Sequence, residues 1–98
     1  MMTLDAFRSS AAAAEPPAGL DLALQALWWL KRGDWDRAHK CVQQNEGDKA
    51  CDSVHAHLHR QEGDLSNAGY WYRRAGRPVA EGTLQDEWTA LARELLSR

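Results

Sequence analysis

One short pattern occurs twice and restricts the fold more than any other feature of the chain. Gly33-Asp34-Trp35-Asp36-Arg37-Ala38 returns thirty residues later as Gly63-Asp64-Leu65-Ser66-Asn67-Ala68. Glycine supplies the open or left-handed backbone of a tight turn, and aspartate caps the helix that follows. The tryptophan or leucine after it is expected to pack down, and the alanine lets two helices approach closely. A fixed period of this size marks an array of helical hairpins.

Composition agrees with helices. Alanine and leucine dominate, isoleucine is absent, and valine (42, 54, 79) and threonine (3, 83, 89) are scarce. β-Branched residues favour strands and lose side-chain freedom in helices, so their scarcity argues against a sheet. Five tryptophans supply the missing bulk in a chain of 98 residues, which has room for one domain.

Pro16, Pro17 and Gly19 divide the chain. Residues 1–19 read as an arm in which Thr3 to Ala14 can form a short helix, and residues 20–98 as the helical domain. Phe7 either docks on the body or stays free with the arm. Five helices follow, capped by Asp21, Asp34, Asp48, Asp64 and Thr83. Their expected core stripes are Ala23/Leu24/Leu27/Trp28/Leu30, Trp35/Ala38/Val42, Cys51/Val54/Leu58, Leu65/Ala68/Trp71/Tyr72/Ala75 and Leu84/Trp88/Leu91/Ala92/Leu95. Asp86 and Glu87 in the first turn of the last helix complement its dipole. Trp28 and Trp29 are neighbours, so one belongs to the core and the other faces the arm, a partner or water.

The turn-plus-alanine units, with Tyr72 and Ala75 in the second, resemble the latter half of tetratricopeptide repeats. Tyr70-Trp71-Tyr72-Arg73-Arg74-Ala75-Gly76 is similar to the end of Sel1-like repeats. The resemblance spans residues 20–78. It departs from the family in its shorter period and in the histidines of the second unit. The run His55 to Pro78 also resembles a small bacterial and fungal group, a likeness that brings no activity with it. The repeat family implies an all-α fold, a short α–α superhelix of two hairpins plus a C-terminal capping helix. It also implies a concave face that binds a protein or peptide.

Several function classes are disfavoured. No run approaches the roughly 20 apolar residues of a bilayer span, and the N-terminal segment lacks the pattern of a secretory leader. A formal net charge of −2 gives no general attraction to nucleic acid or anionic membrane. Cys41 and Cys51 form no disulfide or CxxC framework, which fits buried thiols in the cytoplasm. No phosphate loop, nucleophile elbow or cofactor motif is present, so neither catalysis nor a cofactor is expected.

Two clusters carry the candidate chemistry. His55 and His59 lie one helical turn apart on the same side, while His57 points elsewhere. Such a pair can offer two imidazoles to a metal, with His39, Cys41 or Glu62 as a third ligand. It can equally edge the core and hydrogen-bond across helices, and no metal ligand set is assigned. The second cluster is basic and aromatic. Arg73, Arg74, Arg77 and Arg60 form a patch able to hold an acidic group, or else pair with Glu62, Asp64 or Glu81. Tyr70 and Arg74 make an i, i+4 pair, and Asn67 covers the turn or points toward His59. The expected function is therefore a non-enzymatic module that binds a protein or peptide, possibly an acidic one, through His55, His59, Arg60, Asn67, Tyr70, Arg73 and Arg74. The alternative is a small-ligand or metal-binding protein centred on His55 and His59. A homodimer joined through an exposed tryptophan is a third possibility.

Overall fold

The computed structural model describes residues 2–98 as six helices, with no strand among the described residues. They are α1 (Leu4–Ser10), α2 (Leu22–Lys31), α3 (Trp35–Gln43), α4 (Lys49–Gln61), α5 (Leu65–Ala75) and α6 (Leu84–Leu96). The fold is all-α. Asp21, Asp34, Asp48, Asp64 and Thr83 each accept a hydrogen bond from a backbone N–H three residues ahead, so all five anticipated caps are in place. Gly33 and Gly63 sit at φ +91° and +85°, the left-handed backbone that their turns require.

The two Gly-Asp turns join α2 to α3 and α4 to α5 as hairpins. Helix α4 is the centre of the molecule and packs against α2, α3, α5 and α6. Every residue from Cys51 to His59 is consequently buried, although only some of them are apolar. Helix α6 lies on α2 and α4. Trp88 carries that contact: its indole N–H donates to the Leu27 carbonyl at 2.9 Å inside the core. The backbone of α5 meets no helix except α4.

This arrangement corrects two expected stripes. Leu84, placed in the stripe of the last helix, stays exposed at that helix's first turn while Trp88, Leu91, Ala92 and Leu95 are buried. Leu65 departs in the same way. Trp35 in the first unit packs on the following hairpin and donates its indole N–H to the Leu58 carbonyl at 2.9 Å. Its counterpart in the second unit, Leu65, is 69% exposed. No further hairpin follows α5, and α6 packs elsewhere, so Leu65 has no surface to cover it. The remaining members of that stripe, Ala68, Trp71, Tyr72 and Ala75, are buried as expected.

The N-terminal segment docks. Phe7 is buried and its ring stacks on Trp88 with centroids 5.8 Å apart. The indole N–H of Trp28 donates to the Ser10 hydroxyl at 3.0 Å, and Arg32 donates to the carbonyls of Ala11 and Ala13. Trp28 is the core member of its pair. Trp29 is half-buried and its outer face is covered by the Arg37 guanidinium, 4.5 Å from the ring centroid. None of the five tryptophans is fully exposed, so the feature that suggested a dimer through a bare indole is absent.

Candidate functional site

Helix α4 carries three sets of polar side chains in three directions. His55 and His59 share one side, as their spacing requires, and His39 reaches them from α3. The Nε2 atoms of His39 and His55 face each other at 3.0 Å, close enough for one N–H to donate to the other's lone pair. A Glu62 carboxylate oxygen accepts the His59 Nδ1 proton at 2.6 Å, and the Asn67 amide lies 3.3 Å from His59 Nε2. Asn67 therefore points to His59, the second of its two expected placements. Trp35 stacks on His39 and Trp71 on His55, so indoles flank the imidazoles on two sides. Burial, then the neighbouring His39, His59 and Arg74, push the His55 pKa down to about 3, so the ring is neutral. Burial, with His59, also lowers that of His39.

His57 points the opposite way, as expected, and donates from Nδ1 to Glu87 of α6 at 2.7 Å. The same carboxylate accepts from Arg60 at 3.1 Å and from the Tyr72 hydroxyl at 2.5 Å. Burial pulls the Glu87 pKa up, but these hydrogen bonds outweigh it and hold the group below the ordinary carboxylate range. Glu87 thus ties α4, α5 and α6 together. Its role was hidden in the sequence, where it reads only as a helix-dipole residue, because its partners lie far along the chain.

Tyr72 and Glu87 make their bridge across a cleft. Because the α5 and α6 backbones do not meet, a cavity of about 390 Å³ opens between α5, the 76–83 loop and α6. Its walls include Pro78, Ala80, Ala90 and Leu91, and the carboxylates of Glu81, Asp86, Glu87 and Glu94 line it with one arginine, Arg77. Arg77 is paired with Glu94. Nothing in the sequence pattern marked this cavity, since it depends on where α6 lies.

The basic-aromatic run is dispersed. Arg60 belongs to the Glu87 knot and also donates to the Gly82 carbonyl. Arg74 donates to the Tyr70 hydroxyl at 3.2 Å, lies over Trp71 and sits 4.0 Å from the buried Asp52. Tyr70 is exposed, and its pairing with Arg74 is the expected one. Arg73 is exposed and makes no ion pair among the described residues. The arginines that are paired use Glu87, Asp52 and Glu94, not the Glu62, Asp64 or Glu81 suggested by sequence proximity. Cys41 and Cys51 are buried free thiols, and burial followed by Asp48 pushes the Cys51 pKa up to about 12, an inert setting.

Comparison with protein-family models, curated proteins and solved structures finds no match for this chain. Among the described residues no helix is long and apolar enough to cross a membrane.

Proposed function

We propose that this protein is a non-enzymatic binding module whose α5–α6 cavity takes a short basic-apolar segment of a partner protein. The observation that carries the reading is the lining of the cavity. Its walls are proline, alanine and leucine. Of its four carboxylates, Glu87 and Glu94 are held by partners within the chain, while Glu81 and Asp86 make no ion pair among the described residues. A lysine or arginine side chain matches this chemistry, with its stem against the apolar wall and its head at the carboxylates. The volume of about 390 Å³ suits one or two side chains. Val79, 61% exposed, lies between the wall residues Pro78 and Ala80 and extends apolar surface beyond the cavity, which favours a peptide over a compact small molecule. The resemblance to peptide-binding helical repeats adds to this reading. An acidic partner is less favoured, because Arg60, Arg74 and Arg77 are engaged within the chain.

Fluorescence anisotropy with labelled, capped pentapeptides of alternating leucine and lysine tests the proposal against a matched leucine-glutamate series. The lysine series is expected to bind saturably and to weaken at least tenfold in Glu81→Lys/Asp86→Lys. Equal binding of both series, or no effect of the charge reversal, overturns it.

A further inference from the structure

We propose a second site, sharing no residue with the cavity, in which His39, His55 and His59 bind one divalent first-row transition ion such as Zn2+. One ring nitrogen from each histidine lies within 4.8 Å of the other two. A tetrahedral zinc site with metal–nitrogen bonds of about 2.0–2.1 Å holds its nitrogens about 3.3 Å apart. The His39 and His55 Nε2 atoms, at 3.0 Å, are already at nearly that spacing. His59 offers a nitrogen within 4.8 Å of the nitrogens of the other two, so closing its ring inward completes the set.

The tautomers suit this role. Glu62 accepts a hydrogen bond from the Nδ1–H of His59, which leaves the Nε2 lone pair as its ligand and orients the ring, the usual carboxylate–histidine–metal arrangement. That lone pair is now met only by the Asn67 amide at 3.3 Å, a bond the ion would replace. His55 Nδ1 is buried and has no hydrogen-bond partner, so no neighbour prevents it from carrying the ring proton while Nε2 turns to the metal. His39 is half-buried and gives the cluster its route to solvent.

The ligand set selects the ion class. Three imidazoles with no thiolate suit zinc, copper, nickel or cobalt, and do not suit magnesium or calcium, which prefer oxygen. Three protein ligands leave a fourth position for water or an added ligand. Charges around the cluster include Glu62, Glu46 and Asp36, which favour a cation, and Arg74, which opposes it.

Isothermal titration of the untagged full chain with ZnCl2, with MgCl2 and CaCl2 as controls, tests the site. Cobalt absorption then identifies the ligands. The expected result is one equivalent of zinc, no magnesium or calcium binding, and a visible cobalt spectrum free of thiolate charge transfer. His39→Gln is expected to abolish binding, and Glu62→Gln to weaken it 10–100-fold, both with unchanged far-UV circular dichroism. Less than a tenth of an equivalent of zinc, a thiolate band from Cys41 or Cys51, or undiminished affinity in folded His39→Gln overturns the proposal.

Discussion

His55 is a buried imidazole between an indole and two other imidazoles, and that setting makes the fold sensitive to acid. It faces His39 of α3, Trp71 of α5 and His59 of its own helix, with Arg74 as the nearby cation. Its folded pKa, about 3, lies below the ordinary value of 6.5 that it regains on unfolding. The unfolded chain therefore binds the proton first. The stabilising effect is complete above pH 6.5 and is lost progressively as pH falls toward 3. His39 acts in the same direction. Urea denaturation at a series of pH values should show stability falling below pH 6.5 by about 1.4 kcal/mol per pH unit for each proton taken up on unfolding. His55→Leu should flatten that slope, whereas a wild-type profile flat between pH 7 and 5 contradicts the burial argument. Helical spacing alone made the common side of His55 and His59, and the divergence of His57, legible. His39 stood only as one of three candidates with Cys41 and Glu62, because it enters from another helix whose rotation no local pattern determines.

At the scale of elements, the hairpins were readable because each turn carries its own chemistry. Gly63 at positive φ and Asp64 as a cap are local requirements, and the same holds for Gly33 and Asp34. What the pattern concealed was α4. Asp52, Ser53, His55, His57 and His59 are polar and point in several directions, yet neighbours on every side bury them. Such a helix is tolerated only if its polar groups find partners, and Glu87 supplies the main one. Glu87→Ala would leave Arg60, whose side chain is 16% exposed, without its carboxylate. A loss of about 3–5 kcal/mol in unfolding free energy is expected. Glu94→Ala, which breaks the surface pair with Arg77, should cost under about 1 kcal/mol. Equal effects of the two substitutions in chemical denaturation would show that Glu87 does not organise the three helices.

At the scale of the whole molecule, α1 and α6 close over the central helices. Helix α1 brings Phe7 onto Trp88, and α6 lies across α2 and α4, so the segment before Pro16 contributes to the core of residues 20–98. Phe7→Ala should cost about 3 kcal/mol, read as a lower urea midpoint; an unchanged midpoint would mean the segment is not docked in solution. The position of α6 also creates the cavity, by leaving α5 without a following helix on its outer side. That vacancy could not be read from periodicity, because the stripe of α6 specifies which face it buries and not which helices receive it.

The cavity is the centre of the functional account, and its use can be mapped residue by residue. A nitrogen–proton correlation NMR titration with the leucine-lysine pentapeptides should shift the amides of Ala80, Ala90 and Leu91 together, and Ala90→Trp, which fills the space, should abolish those shifts. Shifts centred instead on Tyr70, Arg73 and Arg74, or unchanged binding in Ala90→Trp, would contradict it.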